Sequence, residues 1–251
     1  MYRRLIGEEV RITGHGGDEI NAYLARPLGP GPYPGVGVIH HMPGWDEATT
    51  EIARRFAAHG YLAIVPNLHY REGPDASPDD AAASRAAGGV PDERFLGDLA
   101  GALSHLASLG EHSGRSGVIG YCSGGRQAFL AACSLELDAA VDCYGAFVVG
   151  QPPAEFPIKM TPLVGRVGDL RCPLLGLFGN DDQRPSPADV DELEAELKRA
   201  GADYEFHRYD GAGHGFFATD RTMYRPEAAV DGWERIFDFF GRHLGGDRGA
   251  A

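Results

Sequence analysis

The chain has 251 residues, of which 43% are hydrophobic, and a formal net charge of −13. It can bury a full core, while its acidic balance excludes the basic face that nucleic-acid phosphates require. No stretch reaches the roughly 18 continuous apolar residues of a membrane span, and four cysteines without a Cys-x-x-Cys pair indicate neither a zinc framework nor a disulfide scaffold. We therefore expect a cytoplasmic protein with one domain over 1–251, without nucleic-acid or membrane partners.

Apolar runs and alternating patterns between glycine and proline clusters predict the elements of the fold. The first two strands flank a glycine-rich turn at 14–18 and predict an antiparallel hairpin, whereas later strands alternate with helices and predict parallel pairing. In chain order the predictions are strands at 8–12, 19–26 and 35–39, a helix from the capping residues Thr49 and Thr50 to Gly60, a strand at 62–65, helices at 79–87 and 92–109, a strand at 117–121, a helix at 125–133, strands at 139–144 and 174–178, a helix at 187–200, a strand at 204–209, a helix at 228–244 and a frayed tail after Gly245.

Two long segments have no clear periodicity. Residues 70–92, apart from one short helix, and residues 150–171 are rich in glycine, proline and polar side chains. Loops of this length within a compact domain often cover a functional site, so both are predicted to be lid-like. The whole pattern predicts an α/β fold: a three-layer sandwich with a mostly parallel central sheet and an antiparallel N-terminal hairpin.

The motif G-Y-C-S-G-G at 120–125 directly follows an apolar strand. It matches the G-x-S-x-G strand-to-helix elbow with cysteine in place of serine. Its glycines allow the strand and the helix to approach, and the N-terminus of the helix favours a thiolate at Cys122. A buried, unreactive thiol is the ordinary alternative for a free cysteine.

An acidic residue and a histidine also follow apolar strands. Asp181 lies in F-G-N-D-D at 178–182, and His214 lies in G-A-G-H-G-F at 211–216. Nucleophile, acid and histidine in this order form the triad of α/β-hydrolases, and ligands of open α/β folds bind at the carboxyl edge of the sheet. The three residues together are a stronger signal than the elbow alone.

On these motifs the sequence resembles the dienelactone hydrolase family (carboxymethylenebutenolidases) over about 18–244. The elbow cysteine is the specific feature, since most α/β-hydrolases have serine there. The resemblance implies the α/β-hydrolase fold and a cofactor-free hydrolase of carboxylic esters or lactones. It also implies Cys122 as nucleophile, His214 as general base and acid, and Asp181 as the residue that orients the imidazole. Asp182 is the second choice, because Asp181 gives Pro185 the family's spacing.

Attack of a thiolate on a carbonyl produces an oxyanion, which needs hydrogen-bond donors. The backbone N–H groups of Ser123, after the nucleophile, and Met42, after the first buried strand, are predicted to supply them. Family members often carry a glutamate that contacts the resting cysteine, and His41 occupies the matching position here, which leaves the resting protonation of the thiol open. The predicted substrate-binding residues are His41, Trp45, Tyr121, Arg85, Tyr144 and Phe216.

Other functions remain compatible with this site. The spacing of the histidines does not indicate a zinc site, so no metal is expected. A promiscuous esterase, thioesterase or phosphotriesterase of the same family is one alternative, and a non-catalytic small-molecule-binding protein with a reactive thiol is another. The sequence leaves the physiological substrate open, along with the arginine that would bind a substrate carboxylate. It is compatible with a monomer or a weak homodimer.

Overall fold

The computed structural model describes residues 4–73 and 77–245, so the expected tail after Gly245 lies outside the described residues. Within these ranges eight strands and six α-helices are found. The strands are β1 (Leu5–Thr13), β2 (Glu19–Pro27), β3 (Tyr33–Ile39), β4 (Leu62–Pro66), β5 (His112–Tyr121), β6 (Ala139–Cys143), β7 (Leu174–Gly179) and β8 (Tyr204–Tyr209). The helices are α1 (Glu47–Ala58), α2 (Pro78–Ala86), α3 (Asp92–Ser108), α4 (Ser123–Ala132), α5 (Pro187–Ala200) and α6 (Pro226–Leu244).

The strands form one sheet in the order β1-β2-β4-β3-β5-β6-β7-β8. β1 pairs with β2 and β2 with β4 in antiparallel fashion, and all other pairs are parallel. The N-terminal hairpin and the mostly parallel sheet are therefore confirmed. Because the loops after β3, β5 and β7 leave the same edge of parallel strands, their residues can meet at one site.

The apolar runs of the central strands are explained by helices on both faces of the sheet. Val141 packs against the cluster that contains residues of α1 and α6, whereas its neighbour Ala140 packs against the cluster that contains residues of α3, α4 and α5. Successive side chains of a strand point to opposite faces, so a strand covered on both sides is apolar at every position. The predicted three-layer arrangement is confirmed.

Among the helix starts that differ from the predictions, those of α1 and α4 concern the site. Helix α1 is capped by Asp46, whose side chain accepts a hydrogen bond from the Thr49 N–H, so the two threonines lie inside the helix. Helix α4 begins at Ser123, because Cys122 itself is the residue before the first helical turn. The helix therefore starts immediately after the predicted nucleophile.

The two irregular segments contact each other. The first contains α2, and the second contains a 3-10 helix at Val164–Asp169. The Lys159 N–H donates to the Gly88 carbonyl at 2.8 Å, which joins the two segments. None of the helices in the described ranges is both long and apolar enough to cross a bilayer.

Candidate active site

The turn between β5 and α4 holds Cys122 in an unusual backbone conformation. Its φ is 58° and its ψ is −119°, a conformation that L-residues rarely adopt outside functional turns. A Cβ on Gly120 would lie 1.8 Å from the Gly124 carbonyl oxygen, and one on Gly124 would lie 2.5 Å from that of Ile39. Only glycine fits these positions, which explains the glycines of the motif.

His214 joins the thiol to a buried carboxylate. Its Nδ1 donates to Asp182 Oδ2 at 2.9 Å, and its ring lines the same cleft as the Cys122 side chain. Burial lowers the pKa of His214, but the hydrogen bonds and charges of Asp182 and Cys122 outweigh burial and raise that pKa to about 10. The surroundings of His214 thus favour its imidazolium form beside the Cys122 side chain.

The acidic partner of His214 is Asp182, and the prediction of Asp181 is wrong in this respect. Asp182 is 2% exposed and its Oδ1 accepts the Arg184 N–H at 2.8 Å, whereas Asp181 is exposed to solvent. In the turn after β7 the Asp181 N–H donates to Ala212, which anchors the backbone and leaves the side chain of the next residue directed at His214. The spacing to Pro185 misidentified the residue by one position.

The predicted oxyanion donors lie on the same cleft as the thiol. Ser123 is the first residue of α4 and Met42 lies in the loop after β3. The N–H groups of both residues have no hydrogen-bond acceptor among the described residues. They are therefore available to a bound oxygen, as N–H groups at the start of a helix generally are.

The cleft has a volume of about 430 Å³. Sequence reasoning missed most of its walls. Phe156 and Met160 could have been suspected because they belong to the predicted second lid, whereas Phe147 and Arg184 carried no signal. The lining residues are Met42, Cys122, Ser123, Ala146, Phe147, Phe156, Met160, Asp182, Gln183, Arg184 and His214.

Three predicted substrate-binding residues line a smaller neighbouring cavity. His41, Tyr121 and Tyr144 enclose a space of about 60 Å³ between α1, α6 and the loop 217–220, and do not line the cleft with Cys122. Tyr144 separates this cavity from the site, since its ring lies edge-on to His214 at 5.1 Å. Arg85 lines a third cavity of about 50 Å³, together with residues of both irregular segments.

The other two belong to the core. Trp45 is buried and its indole N–H donates to the Val65 carbonyl at 3.0 Å. Phe216 has no exposed surface and packs between Tyr144 and Tyr209. The prediction that these two rings bind substrate is wrong, because both are covered by neighbouring aromatic and apolar groups.

His41 is engaged with the capping residue of α1. Its Nε2 donates to Asp46 Oδ2 at 2.6 Å, while Asp46 Oδ1 accepts from the N–H and the hydroxyl of Thr49. Burial would raise the pKa of Asp46, but the bonds from His41 and Thr49 hold it well below its usual range. The pair closes the loop that carries Met42, so His41 stabilises the predicted oxyanion loop.

An arginine beside the elbow and one in the first irregular segment are held by protein carboxylates. Arg126 binds Asp92 through two hydrogen bonds and Arg71 binds Asp98. Over residues 4–73 and 77–245, no group of three or more His, Cys, Asp or Glu side chains has the arrangement of a metal site.

Comparison with known proteins gives consistent results. Residues 20–244 match the profile of the "Dienelactone hydrolase family". The "Putative carboxymethylenebutenolidase" of Yersinia pestis is 37% identical over 234 residues, which cover 90% of this chain and 85% of that protein. A protein of the same name from Methylorubrum extorquens is 35% identical, covering 94% and 81% of the two chains. The crystal structure of a "Putative Dienelactone Hydrolase" from Klebsiella pneumoniae superposes with a TM-score of 0.85 at 34% identity, covering 95% and 99%.

Proposed function

The chain belongs to the dienelactone hydrolase family, and on that premise we propose that it cleaves carboxylic esters or lactones with a Cys122–His214–Asp182 triad through a cysteinyl thioester. The observation that carries the proposal is that Cys122, His214 and Asp182 line one cleft, where His214 hydrogen-bonds Asp182 and interacts with the Cys122 side chain. A thiolate is the nucleophilic form of cysteine, and an adjacent imidazolium favours it.

The first half of the reaction forms the thioester. The Cys122 sulfur attacks the carbonyl carbon, and the carbonyl π electrons move to oxygen, which receives hydrogen bonds from the N–H groups of Ser123 and Met42. When the tetrahedral intermediate collapses, the bond to the leaving oxygen breaks and His214 gives its proton to that oxygen. For a lactone, both products of this cleavage stay joined in one acyl group on the sulfur.

The second half regenerates the enzyme. Neutral His214 takes a proton from water, the hydroxide adds to the thioester carbonyl, and the thiolate leaves with its electron pair. Asp182 keeps Nδ1 protonated, so the other ring nitrogen faces the reacting atoms, and its charge stabilises the imidazolium that forms in this step. All protons are returned by the end of the cycle.

Adjacent aspartates provide a matched pair for testing the triad. Asp182→Asn is expected to lower kcat for an activated aryl ester by about 10⁴-fold, because the imidazole loses its anionic partner. Asp181→Asn, one residue away and exposed, is the control and is expected to keep kcat within a factor of about two. Equal rates of the two variants would remove Asp182 from the mechanism.

The intermediate itself can be detected. Mass spectrometry of the intact protein after brief exposure to esters and lactones is expected to show an acyl adduct that is absent from Cys122→Ala. Labelling of Cys122 by iodoacetamide without turnover of any ester, lactone or thioester would instead favour a non-catalytic binding protein. Full activity of Cys122→Ala would reject the nucleophile.

A further inference from the structure

One wall of the cleft is built from apolar side chains of two separate segments. Phe147 follows β6, while Phe156 and Met160 come from the irregular segment 150–171, and all three line the cavity that contains Cys122. The rings of Phe147 and Phe156 lie 5.0 Å apart between centroids, with their planes inclined at 59°. Phe156 and Met160 are partly exposed, so they present apolar surface to the cleft.

Phe147 is held in place at a backbone conformation that bulky residues avoid. Its φ is 62°, and such a conformation persists where the surroundings enforce it, often at a ligand site. The carbonyl of Val148, the next residue, accepts hydrogen bonds from the N–H groups of Leu163 and Val164 at 2.8 and 2.9 Å. The Arg184 guanidinium lies 5.8 Å from the centre of the Phe147 ring. The position of the Phe147 ring is thus fixed by the hydrogen bonds of the neighbouring backbone and by the contact of Arg184 with one face of the ring.

The two ends of the cleft would receive different parts of a substrate. The leaving group must be near His214, which lines the cleft, to receive its proton. Met160 also lines the cavity that contains Met42 and Ser123, which places it on the side of the oxyanion donors. The acyl group, which stays on the sulfur after the leaving group departs, therefore extends along the apolar wall.

We propose that Phe147, Phe156 and Met160 form an acyl-binding pocket that selects esters and lactones with an aromatic or branched apolar acyl group. This inference rests on the proposed function, because it assumes acyl transfer to Cys122. The cleft of about 430 Å³ falls in the size range of small-molecule sites, and its lining combines a few polar groups with apolar walls. Burial of apolar substrate surface on these side chains provides the selection.

A series of 4-nitrophenyl esters with one leaving group tests the pocket on the unaltered protein. We expect kcat/KM, corrected for the rate of hydroxide hydrolysis of each ester, to be at least about 10-fold higher for phenylacetate than for acetate, as additional apolar groups in a hydrophobic pocket generally give. Equal corrected values would overturn the inference. A hemisuccinate ester preferred over the uncharged pentanoate would also overturn it, since it would indicate that the pocket binds an anionic acyl group through Arg184.

Variants of the wall give a second measurement. Phe156→Ala and Met160→Ala are each expected to lower the phenylacetate-to-acetate ratio by about 5- to 10-fold. The control Leu28→Ala removes a similar apolar side chain that is 51% exposed and does not line the cleft, and it is expected to keep the ratio. An unchanged ratio in both wall variants would contradict the pocket.

The adduct on Cys122 separates this inference from the proposed function. Faster formation of the phenylacetyl adduct than of the acetyl adduct supports both. Adducts that form at equal rates from all esters would overturn the pocket and leave the thioester mechanism standing. The absence of an adduct and of turnover with every ester would reject the mechanism and the pocket together.

Discussion

Asp142 is a fully buried carboxyl group directly beneath the elbow. It lies in β6 between Gly120 of β5 and Gly176 of β7, and Oδ1 accepts the Gly145 N–H at 2.7 Å. Oδ2 has no hydrogen-bond partner among the described residues. Burial, opposed by the bond from Gly145, raises the pKa of Asp142 from 3.8 to about 7. A proton on this carboxyl group therefore stabilises the fold.

The sign and size of the effect follow from linkage. Between about pH 4 and pH 7 the folded protein keeps a proton on Asp142 that the unfolded chain releases, so the free energy of unfolding falls as the pH rises through this window. The shift from 3.8 to about 7 corresponds to about 4 kcal/mol at 1.36 kcal/mol per pKa unit. The stabilisation is complete when the pH is below the pKa of Asp142 in the unfolded chain, and it is lost once the pH exceeds about 7.

Asp142→Asn isolates this contribution. The amide oxygen can still accept from Gly145, and any cost of the new NH₂ group does not depend on pH, because the amide does not titrate in this range. Urea unfolding at several pH values gives the free energy of unfolding of both proteins. We expect the variant to gain about 4 kcal/mol relative to the original protein between pH 4 and pH 8. A difference that stays constant across this range would refute the assignment of a buried, protonated carboxyl group.

Two further expectations concern the supports of the site. Arg126→Met removes the hydrogen bonds to Asp92 and to the Thr161 carbonyl. Urea unfolding should therefore show a free energy of unfolding lowered by about 1–3 kcal/mol, and proteases should cut the segment 150–163 faster. Unchanged cleavage would show that Arg126 does not hold this segment. Asp46→Asn keeps an oxygen for the helix cap but removes the negative partner of His41. Steady-state kinetics should therefore show kcat lowered about 10-fold at a similar KM. A change in KM alone would argue against a role of Asp46 in positioning the oxyanion loop.

The strands and the nucleophile could be predicted because their signals are local. Apolar runs such as 35–39 are dictated by burial on both faces of the sheet, and the glycines around Cys122 are dictated by backbone contacts within a few residues of the turn. The choice between Asp181 and Asp182 is not local. It depends on the hydrogen bond between the turn after β7 and Ala212, which lies 31 positions further along the chain than Asp181. A rule based on the spacing of residues within the motif does not include this contact.

The residues that form the walls of the cleft could not be predicted from the sequence for a related reason. Residues 150–171 have no hydrophobic period, so nothing in their order distinguishes Phe156 or Met160, which face the cleft, from neighbours that do not. Conversely, Trp45 and Phe216 lie in glycine-containing loops next to site residues, which favoured a binding role, but packing in the core buries both. Exposure is decided by tertiary contacts rather than by distance from a motif along the chain.

Two histidine–carboxylate pairs lie on the loops at this edge of the sheet. The groups that each imidazole ring contacts give the two pairs different roles. His214 hydrogen-bonds Asp182 and interacts with the Cys122 side chain, so its charge acts on the sulfur. The Nε2 of His41 is hydrogen-bonded to Asp46, and His41 lines cavities other than the one that contains Cys122. His214, and not His41, is therefore the histidine that acts on the thiol. Asp182→Asn should accordingly slow both turnover and the alkylation of Cys122 by iodoacetamide, whereas Asp46→Asn should lower turnover and leave the alkylation rate unchanged.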